Sequence, residues 1–152
     1  MALKKQLHIG VFLQGVGHSI AWRHPDHAKF TEFETYVRFA QLAERGKLYF
    51  IFFGEGLLVR EHFDKIFGYI VNGRPDSIAL LPALAAVTQH IGLAATISST
   101  YNQPYELARQ LASIDHVSNG RAAWNVVTTF SNSIAKDSGG YQVAFNFSRE
   151  KH

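Results

Sequence analysis

Three short apolar runs of the sequence are followed or interrupted by side chains that could hold a ligand. Glu55, flanked by two glycines, comes directly after the run LYFIFF. The segment 98–102 (SSTYN) ends the run that begins IGLAATI, and Asn125 lies inside RAAWNVVT. A carboxylate with glycine neighbours can face a closely approaching ligand. Hydroxyl groups suit a phosphate or another polar edge, and an amide suits the edge of a heteroaromatic ring.

Each of these positions also has a purely structural interpretation. Glu55 can cap the loop that follows it. The hydroxyl and amide side chains from Ser98 to Asn102 are typical of a strand-to-helix turn that supplies its own caps. Asn125 is unusual within a strand, and its amide can bond to the neighbouring backbone instead of a ligand. The residues alone leave both interpretations open.

Two other motifs indicate chemistry less specifically. The segment 15–17 (GVG) resembles the start of a dinucleotide-binding loop, but Ile20 replaces the third glycine, so a turn at the rim of a pocket explains it as well. His18, His24 and His27 lie close together with spacings that match no zinc pattern. The sequence therefore predicts no metal site.

Composition narrows the class of protein. The chain has 152 residues, 47% of them hydrophobic, which is typical of one folded unit. It lacks cysteine, which excludes thiol catalysis and disulfide bonds. Its net charge is only +3 with scattered basic residues, so no nucleic-acid partner is expected. No apolar run is long enough to span a membrane and the start lacks a signal-peptide core, so we expect a cytoplasmic protein.

The order of the elements predicts an α/β fold with parallel strands. Short apolar runs predict strands over 6–13, 48–53, 91–98 and 121–128, and they alternate with segments of helical period. About four βα units result, which could form half of a (β/α)8 barrel or a small doubly wound sheet. In both architectures ligands bind at the carboxyl ends of the strands. Glu55, Ser98 and Thr100 should therefore lie at that edge.

Local signals place the helix ends. Thr31 and Glu34 have capping-box spacing, and Gly46 can end the first helix. The second helix should cover 78–90 after a cap at Asp76 or Ser77, with a kink or a late start at Pro82. The third should begin at Pro104 and end before Gly120. Inward-facing side chains in these helices are predicted to include Val87 and Val117.

Several longer stretches are similar to a known family. They are HIGVFLQGVGHSIAWRHPD, FGEGL followed by VRE, STYNQPYELAR and ASIDHVSNGRAAWNVVT. Together they resemble the N-terminal portion of the nitrilotriacetate monooxygenase component A family, flavin-dependent monooxygenases of the bacterial luciferase-like superfamily. The similarity runs from about His8 to Thr129. It implies a partial TIM (β/α)8 barrel, with residues 1–152 as a single N-terminal half-barrel region and 130–152 as a divergent tail.

The resemblance also implies a cofactor and a partner. FMN would bind at the carboxyl ends of the strands, reduced by a separate NAD(P)H:flavin oxidoreductase, and a C4a-peroxyflavin would oxygenate a small organic substrate. Glu55 stands where the family usually has a flavin-contacting Asp. The cofactor-binding hydroxyl cluster corresponds to Ser98 and Thr100, and the strand-four amide corresponds to Asn125. The resemblance assigns no catalytic residue within this chain.

The chain is short compared with a complete barrel. A complete barrel takes roughly 250 residues, and four strands would leave two sheet edges unpaired. We therefore expect the chain to form a homo-oligomer. The alternative function is that of a truncated, non-catalytic half-barrel that oligomerises and binds flavin weakly or not at all.

Overall fold

The sheet and its helices follow the alternating pattern of the sequence. The structure is a computed structural model and describes residues 6–13, 32–54, 61–62, 65–66 and 75–128. The strands are β1 (Gly10–Leu13), β2 (Phe50–Phe53), β3 (Glu61–His62), β4 (Lys65–Ile66), β5 (Gly92–Ser98) and β6 (Ala122–Val127). The helices are α1 (Phe33–Arg45), α2 (Ser77–Ala85) and α3 (Pro104–Ser118).

Four of the strands form one parallel sheet in the order β1-β2-β5-β6. Sequential parallel strands with intervening helices are the arrangement of a (β/α)8 barrel, so the predicted partial barrel is confirmed. The segment between β2 and α2 contains a small antiparallel pair, β3 with β4. The described strands are shorter than the predicted ones at their amino ends.

One face of the sheet packs against the helices. Ile51, Phe53 and Leu93 on this face are buried, and the Phe53 ring lies 6.0 Å from that of Tyr36 on α1. Strand side chains alternate between the two faces, so residues such as Phe52 and Thr96 lie on the opposite face. In barrel terms the helix-covered face is the outer face and the opposite one is the inner face.

The second helix differs from its prediction at both ends. Asp76 caps it by accepting hydrogen bonds from the backbone of Ile78 and Ala79 at 2.7 and 3.2 Å, which confirms one of the two predicted caps. The helix begins at Ser77, so the late start at Pro82 is wrong and the proline lies inside the helix. It ends at Ala85 rather than at residue 90, because the backbone groups that follow bind side chains from elsewhere in the chain.

Smaller deviations concern α1 and α3. The N-cap of α1 is Glu32 without a side-chain cap bond, so a capping box that begins at Thr31 is wrong; Thr31 itself lies outside the described residues. Gly46 does end α1, and α3 does begin at Pro104. Val117, expected to face inward, is 60% exposed, and Val87 is exposed as well.

A carboxylate from α1 holds the chain as it enters the central strand β5. Oε1 of Glu44 accepts hydrogen bonds from three successive backbone amides, those of Gln89, His90 and Ile91, at 2.9, 2.6 and 3.0 Å. Partial burial raises the pKa of Glu44, but these bonds and the charge of His90 lower it by more, so the pKa lies below its ordinary value of 4.5. The carboxylate therefore binds amides that would otherwise lack helical partners.

Arg121, which directly precedes β6, makes the complementary contacts with carbonyl oxygens. Its guanidinium donates to the backbone oxygens of Ala85, Thr88, Ile91 and Ser118 at 2.7–3.1 Å, and to Oγ1 of Thr88 at 2.9 Å. Two of these oxygens belong to the last residues of α2 and α3, where helix carbonyls lack internal donors. Glu44 and Arg121 thus share Ile91, one binding its amide and the other its carbonyl.

Candidate active site

An aromatic pair occupies the β1–β2 side of the inner face. The rings of Phe12 and Phe52 stack with centroids 4.7 Å apart. A Cβ atom at Gly54 would lie 2.6 Å from Cζ of Phe12, so glycine at this position lets the Phe12 ring lie over the end of β2. Phe12 is 44% exposed. The ring therefore offers an apolar surface close to the carboxyl ends of the strands.

A hydrogen-bonded polar pair occupies the β5–β6 side of the same face. Thr96 and Asn125 are partners in the parallel register, and Nδ2 of Asn125 donates to Oγ1 of Thr96 at 3.1 Å. Thr96 is buried and Asn125 is partly buried. Among the described residues, Oδ1 of Asn125 accepts no hydrogen bond. One end of the amide is thus held in place while its oxygen is left to accept from another group.

The predicted hydroxyl cluster forms an ordered turn at the end of β5. The Ser98 hydroxyl is buried and accepts from the backbone amide of Thr100 at 3.3 Å. The Asn102 side chain donates to the Ser98 carbonyl at 2.7 Å, while Ser99 donates to the Val127 carbonyl through both its amide and its hydroxyl. The self-capped turn considered from the sequence is therefore present. It brings Ser98 and Thr100 together at the carboxyl edge of the sheet, and the register places Ser98 on the same face as Asn125.

Other predicted positions lie outside the described residues. These are Glu55, the glycine segment 15–17, the histidines His18, His24 and His27, and the tail 130–152. Within the described ranges, no group of three or more potential metal ligands lies together. Of the helices the structure describes, none has the length and apolar character needed to cross a membrane.

An open cavity of about 280 Å³ lies away from this polar pair. It is formed between α3 and β6, with lining residues that include Leu111, Asp115 and Trp124. The Trp124 indole donates to the Ile97 carbonyl at 3.0 Å, which holds this ring beside the sheet edge. The lining contains little that could bind an anion or a metal, so the polar pair on the inner face is the better candidate site.

Thr96 is a candidate site residue that the sequence interpretation missed. It lies two residues before Ser98 in a strand of period two, so the two side chains share a face. The pattern Ala94-Thr96-Ser98, small or polar at every second position, was the available signal. Phe12 was also missed, because the sequence of an apolar run does not show which face of the sheet a phenylalanine occupies.

Comparison with known proteins assigns the family. The model of the luciferase-like monooxygenase family matches residues 11–149. The chain is 45% identical to N-acetyl-S-(2-succino)cysteine monooxygenase of Bacillus subtilis (strain 168), over 98% of this chain and 32% of that protein. It is 37% identical to nitrilotriacetate monooxygenase component A of Aminobacter aminovorans, over 100% of this chain and 34% of that protein.

The fold agrees with a solved relative. The crystal structure of riboflavin lyase (RcaE), with modified FMN and the substrate riboflavin, matches with a TM-score of 0.76 and 35% identity, over 89% of this chain and 33% of that one. The chain spans about a third of the length of the relatives it matches. Sequence and fold both agree, and the chain belongs to the luciferase-like monooxygenase family.

Proposed function

We propose that this chain forms the part of an FMN-dependent, two-component monooxygenase that holds one side of the flavin at the inner face of the sheet. The observation that carries the proposal is the Thr96–Asn125 pair, with its amide oxygen left to accept a hydrogen bond two residues before the carboxyl ends of β5 and β6. Ligands of (β/α)8 enzymes bind at that end. A separate NAD(P)H:flavin oxidoreductase would supply reduced FMN, and the substrate would be a small organic molecule.

The described residues fit a flavin by their chemistry. The flavin ring carries N–H and C=O groups at one end, which an amide can bind, and its other end is apolar. Asn125 would bind the polar edge, Thr96 would fix the orientation of that amide, and Ser98 and Thr100 would border the site. The glycine-flanked Glu55 would supply the carboxylate that the resemblance assigns to this edge. Reduced flavin supplies the oxygen-activating chemistry when bound.

The roles of the protein side chains are positioning and exclusion of water. Oγ1 of Thr96 accepts one amide hydrogen of Asn125, so the amide cannot rotate without breaking this bond. A fixed acceptor binds a ring N–H at lower cost than a rotating one, because less side-chain freedom is lost. The Phe12–Phe52 pair beside it keeps an apolar surface next to the ring.

Replacement of Asn125 by leucine tests the proposal directly. Losing one hydrogen-bonding group should raise the Kd for FMN about fivefold to tenfold, in both oxidised and chemically reduced states. Titration followed by flavin fluorescence and by calorimetry under anaerobic conditions measures the change. Gln41→Leu removes the same type of group from an exposed face of α1 and should leave the Kd unchanged. Wild-type chain that does not bind FMN at millimolar concentration would support the non-catalytic half-barrel instead.

We also propose that the chain associates with itself through the exposed outer face of β6. Trp124 is 38% exposed and Val126 is 57% exposed on this face. Light scattering across a range of concentrations should show an average mass above that of one chain. Val126→Lys should shift the distribution towards the monomer, since a charge would have to be buried in the contact. A wild-type mass of one chain throughout the micromolar range would contradict the association.

A further inference from the structure

Residues that are level with one another across neighbouring strands form rows on the inner face. One such row is apolar at one end and polar at the other. Phe53 pairs with Ala95, so Gly54, one residue further, is level with Thr96, which in turn pairs with Asn125. The Phe12 ring covers the Gly54 end of this row. The row crosses two strand spacings, about 10 Å. A fused three-ring molecule with one apolar end has about this length.

We propose that Phe12, seated over Gly54, contacts the methyl-substituted benzene end of the flavin ring while Asn125 binds its opposite, polar end. The inference rests on the function proposed above and adds an orientation to it. Phe12 fits this role because it is held on one side by the Phe52 ring and remains partly exposed. Gly54 is a positioning residue, since it acts only through the place that it leaves for the Phe12 ring.

Small side chains in the neighbouring row of the inner face agree with a ring that lies flat. Phe12 and Phe52 share their row with Ala94 on β5 and Ala123 on β6. The aromatic pair is thus followed along this row by two methyl side chains. Side chains of this size do not obstruct a planar ligand whose apolar end contacts Phe12 and whose polar end reaches Asn125.

A second glycine supplies a matched control. A Cβ atom at Gly10 would collide with the Phe50 ring, just as one at Gly54 would collide with Phe12. Gly10 and Phe50 are paired at the amino end of β1 and β2, away from the carboxyl edge. Gly10→Ala should therefore destabilise the same sheet face without disturbing the ligand. Neither glycine has a positive φ, so alanine is compatible with the backbone at both positions.

The experiment measures Kd on the full chain for two probes, FMN and an FMN analogue that lacks the two methyl groups of its benzene ring. Phe12→Leu should weaken FMN binding about threefold to tenfold and weaken binding of the analogue much less. Gly54→Ala should weaken FMN binding in the wild-type background and have little further effect alongside Phe12→Leu. Gly10→Ala should lower the Tm and leave both Kd values within about twofold of wild type.

The outcomes separate this inference from the proposed function. If wild-type chain binds FMN but Phe12→Leu leaves its Kd unchanged, or affects both probes equally, the orientation is wrong while the flavin site stands. If Gly10→Ala weakens binding as much as Gly54→Ala, the effect comes from general destabilisation and the role of Gly54 is overturned. If wild-type chain binds neither probe, both proposals fail together.

Discussion

Replacing Arg121 by methionine is expected to lower the free energy of unfolding by roughly 3 kcal/mol or more. The methionine would keep much of the apolar stem but would leave several partly buried carbonyl oxygens without donors. Among these are Ala85 and Ser118, at the ends of α2 and α3, so both helix ends should fray. Urea unfolding followed by circular dichroism measures the change.

Two variants separate the geometry of Arg121 from its charge. Arg121→Lys keeps the charge but lacks the planar fork that reaches several oxygens at once, so it should recover only part of the loss. Arg109→Met removes an arginine that pairs with Glu106 at 3.0 Å on an exposed surface, and it should cost less than about 1 kcal/mol. Equal effects at Arg121 and Arg109 would show that the carbonyl contacts contribute little.

Replacing Glu44 by alanine should lower the free energy of unfolding by about 2–3 kcal/mol near neutral pH. Three backbone amides, at residues 89–91, would lose their acceptor, and two of them belong to exposed residues that water can reach. The Ile91 amide is part of a buried residue, so its loss should dominate. Chemical denaturation at constant pH measures the difference from wild type.

The same carboxylate should make stability depend on pH. The pKa of Glu44 is lowered in the folded state, so the folded protein binds fewer protons at this group than the unfolded chain does. Its contribution is therefore fully present above the ordinary pKa of 4.5 and is lost as the pH falls through the lower, folded value. Glu44→Gln should show a weaker decline in stability over this acid range than wild type. Parallel curves for the two proteins would contradict the assignment.

Much of the fold could be predicted from periodicity. Short apolar runs predicted the four parallel strands, and the βα alternation predicted their parallel order. The end of α2 could not be predicted in this way. Residues 86–90 continue a helical pattern. Glu44, which lies more than forty positions earlier, nevertheless binds the backbone amides of Gln89 and His90. A local pattern carries no information about such a distant partner.

The sequence pointed to some residues of the candidate site. The prediction of a polar carboxyl edge named Ser98, Thr100 and Asn125, and the strand register places Ser98 and Asn125 on one face of the sheet. The sequence could not show whether these residues stabilise a turn or bind a ligand, because both roles require the same hydroxyl and amide groups. Thr96 and Phe12 became visible only once the strand register aligned them with Asn125 and Gly54.

Glu44 and Arg121, which bind the amide and the carbonyl of Ile91, affect which substitutions this chain can tolerate. Glu44 and Arg121 act almost entirely on main-chain atoms, which every amino acid provides. The exposed side chains of Gln89 and His90 can therefore be exchanged without removing the contacts that join α1 to the start of β5. The contacts on both sides of Ile91 thus depend on the side chains of Glu44 and Arg121, whichever residues occupy the exposed positions around them.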